Sequence, residues 1–362
     1  MKTILVTLSV ILLAPAVCAQ QPLRTDNVIL VTADGLRWQE VFSGADQDLI
    51  GNEQFVDDPE ALAARFWDED PQQRRKKLMP FFWSVLSGQG QLHGNRLLGS
   101  QVDVTNNHWF SYPGYNEILT GFSDDRIDSN DKIDNPNVTV LEHINGVPEF
   151  RGAVAAFGSW DVFPYIVNEK RSGIPVNAGF RTAAGDGLTQ RERFLNELQP
   201  QVPSPWPTVR LDAFTHHYAR EYLGKYSPRL IYIAYGETDD FAHDGEYDQY
   251  LYSAHQTDAF IADLWAWVQS NPAYRDNTTM IVTTDHGRGT LPIDSWKDHG
   301  TDVAGSNQIW LAAIGPDTEP LGEIRSAGQY YQNQVARTVA TLLGVNYDGD
   351  GKAGAAIDAL IE

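Results

Sequence analysis

Four short runs of aliphatic and β-branched residues, at 28–32, 230–234, 280–284 and 309–314, alternate along the chain with longer stretches of helical period. Runs apolar at consecutive positions predict strands buried on both faces, and their alternation with helices predicts a largely parallel sheet covered by helices. The clearest helix is expected over 247–268. There Tyr247, Tyr250, Leu251, Ala254, Ile261, Leu264, Trp265 and Val268 recur close to a spacing of three to four. Another is expected to open near Ser111, because Pro113 suits a first helical turn.

Two regions interrupt this alternation. Residues 43–91 carry acidic and Pro-containing stretches, the basic run Arg74-Arg75-Lys76-Lys77 and the aromatic segment Phe81-Phe82-Trp83. They read as an inserted loop-and-helix region near a site, with the basic run as a solvated helix start in preference to a substrate contact. Residues 173–207 are punctuated by Gly and Pro and read as a cap or lid. Residues 1–19 have Lys2, an apolar run and a Val17-Cys18-Ala19 ending, the pattern of a secretory signal. The expected organisation is therefore a leader at 1–19 and one catalytic domain at 20–362, exported to a periplasm or the exterior.

The single cysteine, Cys18, falls in that leader, and Val17 before it fits lipoprotein processing poorly. Cleavage after Ala19 removes every thiolate and leaves only oxygen and nitrogen donors for a metal. No second run of eighteen apolar residues is present, so no membrane span is expected. With 362 residues and 42% apolar content the chain can bury a sizeable core. A formal charge of −21 argues against a nucleic-acid-binding surface. It does not exclude a small anionic substrate, because bound divalent ions dominate the field of one cleft.

The candidate chemistry sits at the ends of the apolar runs. The first run ends in Asp34-Gly35-Leu36-Arg37, where an open parallel sheet gathers its ligands. The second leads into Asp239 and His243, four apart and so able to share one helical face. The third ends in Asp285-His286-Gly287, with His299 a short way on. Carboxylate and imidazole donors suit zinc or manganese, and a pair of such ions about 4 Å apart can clamp a displacement at phosphorus. Ser111, opening the Ser-Tyr-Pro-Gly-Tyr-Asn helix, is either an ordinary N-cap or a nucleophile activated by a neighbouring cation. Asn107 and Asn116 are candidate donors to a phosphoryl oxygen. Arg37, Arg288 and Lys297 are candidates to meet residual charge or to pair with acids. Trp109, Phe110, Tyr112, Trp160 and Phe163 are candidates to stack on an ester arm or to fill the core. His216, His217 and His255 read as packing or surface histidines, and the acidic turn around Asp348 and Asp350 as solvated.

Together the strand ending in Asp34, the Ser111–Gly121 segment, the Asp239-x-x-x-His243 pair and Asp285-His286-Gly287 resemble the alkaline phosphatase superfamily, in its nucleotide pyrophosphatase/phosphodiesterase and related branches. The resemblance implies a three-layer αβα fold with a mostly parallel central sheet. It also implies two divalent ions, zinc first with manganese or magnesium as alternatives. Asp34, Ser111, Asp285 and His286 would surround one, and Asp239, His243 and His299 the other. Ser111 would be the nucleophile and carry a phosphoseryl intermediate in the hydrolysis of a small phosphoric mono- or diester. The short His286 to His299 interval departs from nucleotide phosphodiesterases and is closer to mutases and sulfatases. Sulfuric ester hydrolysis is one alternative, although Tyr115 stands where a formylglycine signature has arginine. A non-catalytic metal- or phosphate-binding protein is the other.

Overall fold

The strand β1 (Asn27–Ala33) is buried along its whole length. It lies fifth in an eight-stranded sheet. The computed structural model describes residues 22–361, so the leader expected at 1–19, Cys18 included, lies outside the described residues. The remaining strands are β2 (Gly90–His93), β3 (Ser100–Asp103), β4 (Val154–Gly158), β5 (Val176–Ala178), β6 (Leu230–Tyr235), β7 (Thr278–Thr283), β8 (Gln308–Ile309), β9 (Leu311–Ile314), β10 (Gly322–Glu323) and β11 (Gly328–Tyr331). The large sheet has the order β10-β2-β9-β7-β1-β6-β4-β5, and a small one the order β11-β3-β8. From β7 through β5 every pairing is parallel, and β9 runs antiparallel to both of its neighbours.

Alternate residues of β1 enter two separate cores. Ile29, Val31 and Ala33 pack with Leu36, Leu49, Leu62, Leu251 and Leu264, while Val28 and Leu30 pack with Tyr115, Ile118, Leu141 and Val339. Helices therefore cover both faces, giving the three-layer αβα architecture. Burying each of the valine, leucine and isoleucine side chains contributes roughly 1.5–3 kcal/mol, which holds the strand ends still and fixes what they carry. The Tyr247–Ser270 helix buries Tyr247, Tyr250, Leu251, Ala254, Ile261, Leu264, Trp265 and Val268, the positions expected of it. Among the described residues no helix is long and apolar enough to cross a membrane.

Two expectations are corrected. The run 309–314 is not one strand: Trp310 interrupts it, its indole N–H donating to Leu36 O at 2.8 Å, and β8 and β9 join different sheets. The basic run is not a solvated helix start. Its Arg75, Lys76 and Lys77 occupy the last turn of the Pro71–Leu78 helix, where cations complement the helix dipole. There Arg75 is buried, pairs with Glu323 and stacks on Trp83. Residues 43–91 also supply Leu49, Phe55, Leu62, Phe66, Leu78, Phe82 and Leu86 to the first core, so they form part of one helical layer.

Candidate active site

Strands β6, β1 and β7 are adjacent and parallel, so their carboxyl ends emerge side by side. Register pairs Ala33 with Tyr235 and Thr32 with Thr283, which sets Asp34 level with the turns that follow β6 and β7. Asp34 N–H donates to Tyr235 O at 3.0 Å, Thr238 Oγ1 to Asp34 O at 2.5 Å, and Gly35 N–H to Asp285 Oδ1 at 3.1 Å. Gly35 has a φ of +58°, and a Cβ there would fall 2.7 Å from Asp239 Oδ1 and 2.8 Å from Arg288 Nε. The glycine after Asp34 is therefore required both by its left-handed backbone and by the close approach of those groups.

The acids and imidazoles form two groups. In one, Asp34, Asp285 and His286 converge, with His286 Nε2 3.3 Å from Asp34 Oδ1 and 3.5 Å from Asp285 Oδ2. Both of those oxygens are buried without a hydrogen-bond partner. Burial, with Asp239 beside Asp34 and Asp34 beside Asp285, pushes both carboxyls well above the usual carboxylate range. In the other, Asp239, His243 and His299 converge. His243 Nε2 lies 3.3 Å from Asp239 Oδ2 and 3.0 Å from His299 Nε2. Burial, reinforced by His286, holds His299 down to about 2. Burial pushes Asp239 upward, but Arg288 and His243 outweigh it and hold that carboxyl well below its usual range. Two unsatisfied carboxylate oxygens around one imidazole, and two imidazoles meeting nitrogen to nitrogen beside a carboxylate, fit divalent cations with oxygen and nitrogen donors.

Ser111 begins the Ser111–Thr120 helix, and its Oγ lies 3.5 Å from His286 Nε2. Gly114 lets this helix meet the β7 turn, since a Cβ there would fall 2.4 Å from Asp285 O. From the same helix Tyr115 donates its hydroxyl to Asp34 Oδ2 at 2.8 Å. The open side is a cleft of about 260 Å³ lined by Asp34, Ser111, Asn130, Trp160, Val209 and Asp240, among others. Burial and the Asp239 carboxylate push Asp240 up to about 9.

All seven residues singled out in the sequence therefore meet at one rim. The two asparagines do not. Asn116 is fully buried, its Nδ2 donating to Phe122 O and its Oδ1 accepting from Asn135 and Asn137, so it is a structural hub. Asn107 lines a different depression, with Asp124, Arg126 and Lys352. Asn130 lines the cleft instead. Its Oδ1 accepts the Tyr112 N–H at 3.0 Å, and its amide N–H groups have no protein partner among the described residues. It sits in a polar loop with no motif of its own, so the sequence carried no signal for it.

Arg37 is buried against Glu40, and Lys297 lies over the Phe55 ring. Of the five aromatics, Trp160 lines the cleft, and Tyr112 and Phe163 belong to the second core. His216 stacks on Phe260 and meets Asp263, while His255 binds Leu78 O.

Residues 39–343 match the family model described as type I phosphodiesterase / nucleotide pyrophosphatase. No curated protein matches the chain in sequence. Among solved structures, wild-type alkaline phosphatase PafA is similar with a TM-score of 0.58 at 11% identity, over 95% of this chain and 100% of that one. The lipoteichoic acid synthase LtaP from Listeria monocytogenes gives 0.58 at 12% identity, over 93% and 76%. The phosphonate monoester hydrolase from Silicibacter pomeroyi gives 0.54 at 14% identity, over 93% and 76%. These likenesses establish an alkaline-phosphatase-like fold.

Proposed function

This chain belongs to the type I phosphodiesterase / nucleotide pyrophosphatase family, and we propose that it is an exported, two-cation hydrolase of small phosphoric esters acting through phosphoserine at Ser111. The observation that carries this reading is the position of one hydroxyl, 3.5 Å from His286 Nε2, at the edge of two convergent donor groups.

Asp34, Asp285 and His286 would hold one cation, with Ser111 beside it, and Asp239, His243 and His299 the other. Zinc suits such donors, with manganese or magnesium as alternatives. Bound there, divalent cations supply Lewis-acid charge to the ester and favour the alkoxide of a nearby hydroxyl. The protein's own groups do the rest. Ser111 begins a helix whose Tyr112 and Gly114 N–H groups are taken by Asn130 Oδ1 and Phe110 O, so its own N–H, which has no protein acceptor among the described residues, is the backbone group that would face a phosphoryl oxygen beside Oγ. Asn130 presents its free amide N–H groups to the same cleft, and it replaces Asn107 and Asn116 as the proposed oxygen donor. Ser111 Oγ attacks phosphorus in line, the alcohol departs, and water hydrolyses the phosphoserine.

Phosphate is favoured over sulfate because an unmodified serine suffices for this route. Tyr115, where a formylglycine signature needs arginine, is committed to Asp34. The test is turnover of bis-p-nitrophenyl phosphate, p-nitrophenyl phosphate and p-nitrophenyl sulfate by zinc-loaded protein and by Ser111→Ala. Phosphoric ester cleavage that Ser111→Ala abolishes while zinc stays bound supports the proposal. Faster sulfate turnover points to a sulfatase, and full zinc occupancy without any turnover to a binding protein.

A further inference from the structure

The two donor groups are not equivalent, and Arg288 is the reason. Its side chain is almost fully buried, at 1% exposure, inside the site. It enters through the space that Gly35 leaves, with Nε and Nη2 at 2.8 and 3.1 Å from where a Cβ would stand. One terminal nitrogen donates to Asp239 O at 3.0 Å and also meets the Asp239 carboxylate, while the other bonds Lys297 O. The guanidinium thus joins three segments: the turn after β7, the helix bearing Asp239, and the loop that carries His299. It cannot swing into water without unpacking all three.

The consequence is electrostatic. The Asp34, Asp285 and His286 group offers two carboxylates, neither in an ion pair with a lysine or arginine among the described residues, in side chains no more than 7% exposed; Arg288 reaches Asp34 only through space, whereas it is in direct contact with Asp239. The Asp239, His243 and His299 group offers one carboxylate, already paired with Arg288, and an imidazole 42% exposed. With neutral histidines the first group brings a charge of −2 to a cation. Counted with Arg288, the second brings about zero. Hard and borderline divalent ions follow such charge counts closely.

Resting on the reading that both groups hold cations, we propose that Arg288 grades them: Asp34, Asp285 and His286 keep a tightly bound divalent ion, while Asp239, His243 and His299 take an exchangeable one. Arg288 is a positioning residue. It holds Asp239 in place and weakens the cation beside it, so the second position fills and empties with the free ion concentration.

The test is zinc binding by the full chain, by equilibrium dialysis against buffered zinc, alongside Arg288→Lys and Arg288→Met. Wild type is expected to bind two equivalents separated by about tenfold or more in affinity. His243→Ala should remove only the weaker, and Asp285→Asn the tighter. Arg288→Met should draw the two affinities together by tightening the weaker, with Arg288→Lys keeping them apart. A purely structural arginine would lower stability without moving the ratio. Two equivalents of equal affinity in wild type overturn the proposal. So does an unchanged ratio in a folded Arg288→Met variant. If that variant does not fold, the wild-type and His243→Ala titrations decide alone. Failure to bind any zinc, manganese or magnesium overturns instead the reading on which it rests.

Discussion

Tyr115, on the helix that begins with Ser111, donates its hydroxyl to Asp34 Oδ2 at 2.8 Å. One phenol therefore ties the proposed nucleophile's helix to the strand end that bears a proposed ligand, across 81 residues of sequence. It also leaves Asp34 Oδ1, which has no hydrogen-bond partner, turned to His286. Removing partners of this kind typically costs 10- to 100-fold in metal affinity or activity.

Tyr115→Phe should accordingly weaken the tighter zinc equivalent and lower kcat/KM by about 10-fold or more, with the fold intact by circular dichroism. Zinc affinity and kcat/KM both within twofold of wild type would remove this link from the account.

Gly35→Ala should act more severely. It asks for a left-handed backbone and sets a methyl group against Asp239 and Arg288, combining strain of about 1 kcal/mol or more with displacement of the second donor group. The expected outcome is loss of the weaker zinc equivalent together with a lower melting temperature. Unchanged binding of both equivalents would show that the close approach of Arg288 is dispensable.

The two asparagines separate function from scaffold. Asn116→Ala orphans buried partners in Phe122, Asn135 and Asn137 and should cost about 2 kcal/mol or more of stability. Asn130→Ala should instead lower kcat/KM by about tenfold with little change in denaturant midpoint. Urea melts and steady-state kinetics on both variants check this, and a reversed pattern would reassign the phosphoryl donor.

Stability should carry a pH signature from a group well away from the cleft. Asp258 accepts the Phe81 and Phe82 N–H groups at 2.7 and 2.9 Å, and burial pushes its carboxyl up to about 7. Because this carboxyl binds its proton more tightly folded than unfolded, its contribution is complete below about 4. It is lost progressively as pH rises to about 7. Melting temperatures of wild type and Asp258→Asn from pH 4 to 8 should show the wild-type advantage shrinking across that window and flat above it. A constant difference would mean that Asp258 does not titrate there.

Much of the candidate site was legible because strand ends and turn chemistry are local. A buried apolar run with an acid at or just past its end marks a strand end on its own. Three such runs named Asp34, Asp239 and Asp285, and short spacing attached His243, His286 and His299 to them. The helix opening at Ser111 was legible for the same reason, through Pro113. The interruption of 309–314 at Trp310 was not, since an indole reaching Leu36 O is a contact between segments 274 residues apart.

By itself, then, the sequence determined a helix-covered, mostly parallel α/β sheet and named the candidate oxygen and nitrogen donors, because hydrophobic period and turn residues act over a few positions. Only the tertiary structure decided which donors share a group, that Asn130 rather than Asn107 or Asn116 faces the cleft, and that Arg288 lies against Asp239. Those outcomes depend on strand order, register and the space left by Gly35 and Gly114. Such distances arise when remote segments pack, and no local pattern encodes them.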